Sequence, residues 1–220
     1  MAIRRRIILS AHGVGLLVLA VFLSSAIWAA PGPAMDSLKQ TLDKVIETLN
    51  AQSLKTPDKE EERRVKLSQL IRERFDEEEF SKRALGAEWR KRTKEEKEEF
   101  IEVFSELLER TYLDKIDSYL AKSKTFSKNN ILYLSETARG SYVVVSTKIL
   151  TKEDTEIPVL YLLKKKQGSW LVCDVAIEGV SIAKNYRAQF NEIIANSSFK
   201  ELLAKLKSKE KIKTVEPLKD

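Results

Sequence analysis

The chain has 220 residues, with 39 Lys and Arg against 33 Asp and Glu and a formal net charge of +6. Arg4, Arg5 and Arg6 fall in the first thirty positions, where no acidic residue stands, so the balance beyond them is only +3 and the charges interleave. That excludes the clustered basic face of a nucleic-acid binder, and a single cysteine, Cys173, excludes an intramolecular disulfide.

Residues 1–30 read as a signal peptide rather than as part of the fold. Arg4 to Arg6 form a positive start, Val14 to Leu23 an apolar core, and Ser24-Ser25-Ala26 a small-residue site. Cleavage falls between about residues 26 and 34, with Ala29 and Ala34 as alternatives to Ala26. The competing reading is an uncleaved anchor, because Ile7 to Ala30 is long enough to span a bilayer. His12, the only histidine, leaves with a cleaved signal. The remaining chain then lacks the Ser-His-Asp and Cys-His arrangements and most zinc chemistry.

Residues 35–207 have the length of one domain, and the Lys/Glu-rich tail 208–220 reads as frayed. Met35 to Gln52 carries Leu38, Leu42, Val45, Ile46 and Leu49 on one helical stripe. A second helix opens at Pro57-Asp58 and runs to about Phe75, with Val65, Leu67, Leu70 and Ile71 as its stripe. Asp76 caps a short helix that ends at Gly86. Thr93 and Glu96 form a capping box. The helix they open is the longest, carrying Phe100, Val103, Phe104, Leu107, Leu108, Tyr112, Ile116 and Tyr119.

The pattern then changes to strands at 130–137, 142–151, 158–165 and 170–178. Arg139-Gly140 and Gln167-Gly168 supply short turns, so the strands form an antiparallel meander. Helix returns with Val180, Ile182, Phe190, Ile193 and Ile194, then with Phe199, Leu202, Leu203 and Leu206. Helices, then sheet, then closing helices define the α+β class.

An antiparallel strand with one wet face should alternate, but Tyr142 to Val145 and Pro158 to Leu163 do not. Either helices cover the sheet on both sides, or part of one face lines a cavity. The thiol of Cys173, within Leu171-Val172-Cys173, reads as buried and inert. Asp174 and Glu178 stand out as carboxylates in or at the end of an apolar strand. They read as structural, paired with a partner such as Arg187, or as an acid/base group in a pocket.

Two stretches resemble the MlaC family, also called the toluene-tolerance family, of periplasmic phospholipid-binding proteins. One runs from Phe75-Asp76 through Ala84-Leu85-Gly86 and Trp89-Arg90 to Glu98-Glu99-Phe100 and Tyr112. The other is Asp174-Val175-Ala176-Ile177-Glu178-Gly179-Val180-Ser181, continuing to Tyr186-Arg187 and Gln189-Phe190. The resemblance implies a curved antiparallel sheet wrapped by helices, a relative of the NTF2-like architecture, with no cofactor and no metal. It also implies one phospholipid carried tails inward, between an inner-membrane ABC transporter complex and an outer-membrane lipoprotein/porin complex. A monomer and a periplasmic location are expected.

Stranding two acyl chains of about 30 methylenes in water costs on the order of 20 kcal/mol. Such a carrier therefore needs a deep apolar wall. Tyr142, Val144, Val159, Tyr161, Val172, Val175 and Ile177 are the sheet-side candidates. Tyr112, Ile116, Val180 and Phe190 are the helical ones. Arg139 and Arg187 are head-group candidates on charge. Two rival readings are a cavity enzyme using Asp174 with Tyr142, and a protein-binding adaptor with a solid core.

Overall fold

The computed structural model describes residues 32–122, 127–151 and 155–208. The signal segment, the Tyr119 side chain and the tail beyond Ser208 lie outside them. Among these residues the chain forms six α-helices and one five-stranded antiparallel sheet, an α+β fold.

Four helices come first: α1 (Pro33–Asn50), α2 (Glu60–Arg72), α3 (Glu77–Leu85) and α4 (Lys94–Lys122). Their starts follow local chemistry. Pro33 opens α1, where its fixed φ suits the first turn. The Glu136 carboxylate, reaching from the sheet, accepts the Met35 N–H at 2.7 Å. Asp76 caps α3 by accepting the Glu79 N–H at 3.1 Å. Thr93 and Glu96 cap α4 reciprocally, at 3.2 and 2.9 Å. Gly86 follows α3 with φ of +60°, a conformation that costs a residue with a Cβ.

The sheet order is β1 (Ile131–Arg139), β2 (Tyr142–Leu150), β3 (Glu156–Lys166), β4 (Ser169–Ile177) and β5 (Val180–Ser181). Gln167 and Gly168, with φ of 48° and 84°, make the tight turn between β3 and β4. Helices α5 (Ile182–Asn196) and α6 (Phe199–Lys207) close the fold, capped by Ser181 and Ser198.

Two of the differences from the sequence reading have a tertiary cause. Helix α2 stops at Arg72 instead of reaching Phe75, because the next residues pair with β4. The Val172 N–H donates to the Arg74 carbonyl at 2.8 Å, and the Asp76 N–H to the Val172 carbonyl at 2.9 Å. Val180 belongs to β5 rather than to a helix, since Glu178 and Gly179 both take positive φ and turn the chain back onto β4.

One face of the sheet turns toward the helices. Val143, Val145, Leu163 and Val172 pack there against Ala34, Met35 and Leu38 of α1. A bulge in β4 at Cys173 adjusts the alternation. Val172 pairs with Leu163 and Val175 with Tyr161, so both face the helices, although a regular strand would send them to opposite sides. Beyond β4 an aromatic cluster holds α3, α4 and α5 together. Phe104 meets Tyr186 and Phe190 edge-on, each at 5.1 Å, and Phe100 meets Phe190 at 5.7 Å. Each such pair adds about 0.5–1.5 kcal/mol beyond area burial. All four rings are essentially inaccessible.

Candidate functional site: an apolar cavity between helices and sheet

A cavity of about 340 Å³ lies between α1, α2, α4 and the helix-facing side of the sheet. Each wall is a periodic stripe. Helix α1 gives Leu38, Thr41, Leu42 and Val45; α2 gives Ser68, Ile71 and Arg72. Helix α4 gives Ser105, Leu108, Glu109, Tyr112, Leu113 and Ile116, at the three- and four-residue spacing that keeps one helix face together. Phe75, Phe80, Tyr161, Val172 and Ile182 close the remaining sides.

The cavity interior offers little for ionic chemistry. Burial pushes the Tyr161 hydroxyl up to about 12, against a smaller lowering from a Thr147 hydrogen bond. Burial also raises Tyr112, helped by the nearby Tyr186 and Asp174. Both phenols are neutral at physiological pH. The charged groups sit at the edges and are engaged. Arg74 donates to the Thr41 and Ser37 hydroxyls, each at 2.8 Å, and to the Trp170 carbonyl at 3.1 Å. Arg72 donates twice to one Glu109 oxygen, at 3.0 and 2.6 Å.

The structure brings Tyr112, Ile116, Tyr161 and Val172 together in this wall. Phe190 belongs to the aromatic-rich core, and Val175 and Ile177 pack against it, Val175 also touching the sheet-side cluster; none of the three lines the cavity. Val159 is buried on the same sheet face, and its carbonyl accepts the Thr147 hydroxyl at 3.2 Å. Tyr142 and Val144 lie away from the cavity. Val144 alternates with Val143 and Val145, and the Tyr142 hydroxyl donates to Glu79 at 2.8 Å. Val180 is 44% exposed on β5. Arg139 is exposed at the β1–β2 turn. Arg187 donates from Nε to the Arg83 carbonyl at 2.7 Å, closing the end of α3.

Asp174 is buried, but its partners are structural. It accepts from the Ser181 hydroxyl at 2.6 Å and from the Val175 and Ala183 N–H groups at 2.9 and 3.1 Å. It therefore anchors the start of α5, and Arg83 rather than Arg187 is the nearby cation, at 3.9 Å. Glu178 is an exposed turn residue. The Cys173 thiol is buried, and that burial pushes it up to about 12. Among the described residues no group of three or more His, Cys, Asp and Glu could hold a metal ion. No helix among them is long and apolar enough to cross a membrane.

Sequence reasoning missed the α1 and α2 walls and Leu113. For Leu108 and Leu113 a signal was present in α4, where Leu107 and Leu108 are both apolar, as are Tyr112 and Leu113. Neighbours on a helix point some 100° apart, so adjacent apolar pairs imply two buried faces. Leu107 enters the aromatic cluster, whereas Leu108, Tyr112 and Leu113 line the cavity.

This combination defines a class: α+β domains in which helices and one face of an antiparallel sheet enclose an apolar, ligand-sized cavity. The chain belongs to the MlaC protein family, whose model matches residues 39–208. Among solved structures it is similar to a phospholipid-binding protein from Ralstonia solanacearum, determined in complex with a phospholipid. That likeness has a TM-score of 0.64 and 23% identity, and covers 80% of this chain and 96% of the other. No curated protein matches it.

Proposed function

We propose that the chain is an exported phospholipid carrier that holds acyl chains in the cavity and leaves the head group at its mouth. The carrying observation is the apolar cavity of about 340 Å³ in a chain of the MlaC family. The relative from Ralstonia solanacearum, solved with a phospholipid bound, supports the same reading. Tyr112, Ile116, Tyr161 and Val172 serve as lipid contacts, joined by Leu42, Val45 and Leu108. The domain comprises residues 35–207 and acts as a monomer. Residues 1–30 direct export to the periplasm, where the carrier moves lipid between an inner-membrane ABC transporter complex and an outer-membrane complex, as the family resemblance implies.

The job is physical rather than chemical. A carrier stabilises its cargo by removing methylenes from water, about 0.8 kcal/mol each, and needs no general acid. The enzyme reading has weaker support, because Asp174 is engaged by three donors and Tyr142 by Glu79, outside the cavity. The test is to purify the mature protein from cells, extract it with organic solvent and analyse the extract by mass spectrometry. About one phospholipid per chain is expected. A protein that is folded and carries no lipid sinks the proposal and leaves the adaptor reading.

A further inference from the structure

A cavity of about 340 Å³ is small for a phospholipid. Benzene fills an engineered cavity of about 150 Å³, so this one has room for on the order of a dozen carbons. Two acyl chains bring about 30 methylenes. If the protein carries a phospholipid, as proposed above, one wall must yield. The walls differ in what holds them. The sheet is a hydrogen-bonded ladder broken only by irregularities at Leu134 and Cys173. Helices α3, α4 and α5 share the aromatic cluster. Helix α1 buries Ala34, Met35, Leu38, Ile46 and Leu49.

Helix α2 is different. Leu67 is its only buried apolar side chain, and Val65 is 56% exposed. Leu67 packs with Leu49 of α1 and Leu113 of α4, and charge pairs supply the other links to α4. Arg63 reaches Asp117 at 2.9 Å, Arg64 reaches Asp114 and Asp117 at 2.7 and 2.6 Å, and Arg72 reaches Glu109 at 2.6 Å. An element with few buried apolar contacts opens at low free energy. Ser68, Arg72, Glu109 and Leu113 line both the cavity and an outer groove between α2 and α4. One layer of side chains therefore separates cavity from water along this seam.

We propose that α2 is the movable wall through which acyl chains enter and leave, and that the Arg72–Glu109 pair is its latch. The pair is partly exposed, with side-chain accessibilities of 52% and 30%, so salt screens it. Lipid exchange therefore accelerates with ionic strength. The test uses the mature protein loaded with a fluorescent phospholipid, releasing it to phosphatidylcholine vesicles at low and high salt. Rates are taken per bound lipid.

Glu109→Gln should release lipid about two- to fivefold faster at low salt, the range a partly exposed ion pair supports. Its rate should also depend less on salt. The reciprocal exchange, Arg72→Glu with Glu109→Arg, should restore slow release. Equal rates and equal salt slopes in wild type and Glu109→Gln overturn the latch. So does an exchanged pair that is as fast as the single variant, since the effect then belongs to one side chain. A wild-type protein that takes up no lipid overturns the carrier reading itself, which distinguishes that failure from failure of the latch alone.

Discussion

Leu108→Trp tests the cavity directly. Leu108 stands in the α4 stripe that faces the cavity. Tryptophan adds roughly six non-hydrogen atoms, about half of the dozen or so carbons for which the cavity has room. At about 0.8 kcal/mol per displaced methylene, the loss is ~5 kcal/mol of lipid burial. If the wall yields and recovers half, ~2.5 kcal/mol remains, nearly a hundredfold in affinity. The assay is the lipid-to-protein ratio after purification, followed by titration of the delipidated protein with a fluorescent phospholipid. A matched variant, Val144→Trp, puts the same side chain on the opposite sheet face and should keep its lipid. A folded Leu108→Trp that retains the wild-type ratio refutes the cavity as the binding site. Loss of lipid from Val144→Trp instead would move the site to the other face.

The other predictions concern what holds the walls. Asp117→Asn leaves Arg63, only 10% accessible, without its carboxylate. It should cost about 1–3 kcal/mol, read as a fall in Tm of about 2–4 °C per kcal/mol; an unchanged Tm would show that the seam charges contribute nothing to stability. Gly86→Ala forces a Cβ into positive φ, 3.0 Å from the Arg187 side chain, and should destabilise by about 1–2 kcal/mol. Equal stability of Gly86→Ala by denaturant titration would contradict that geometry. Burial raises Tyr161, Tyr186 and Cys173 to about 12 each, above their ordinary values of 10.0 for tyrosine and 9.0 for cysteine. The folded state then binds more protons than the unfolded one, so stability is intact below about pH 9 and falls as pH rises toward 12. The phenolate absorbance of Tyr161 and Tyr186, taken as the difference from Tyr161→Phe and Tyr186→Phe variants, should rise only with unfolding; its appearance in the intact fold near pH 10 would contradict the burial.

Most elements were legible because their signals are local. Asp76, Thr93 with Glu96, and Gly86 mark helix ends through side-chain and backbone chemistry that needs no tertiary context. The meander was signalled by the two-residue turns that follow β1 and β3. Boundaries failed where a distant partner decided them. Nothing near Arg74 announces that its carbonyl will accept from Val172, nearly a hundred residues later. The exposure of Val65 likewise depends on what α2 packs against: of its stripe Leu67 is buried and Leu70 and Ile71 half-buried, while Val65 faces out.

The site was harder to read than the fold, for a reason visible in β4. Strand facing alternates strictly, so one inserted residue inverts every side chain after it. The bulge at Cys173 does this between Val172 and Val175. Counting from Val172 alone puts Val175 on the wrong face, and counting from Val175 misplaces Val172. Even with the faces settled, the helix-facing side divides again. Tyr161 and Val172 reach the cavity, whereas Val175 and Ile177 meet the aromatic core. Val175 and Ile177 pack against the cluster in which Phe100, Phe104, Tyr186 and Phe190 meet at 5.1–5.7 Å, whereas Tyr161 and Val172 face the space between α1, α2 and α4. Helices α1 and α2 both lie outside that cluster, and of the two α2 buries fewer apolar side chains.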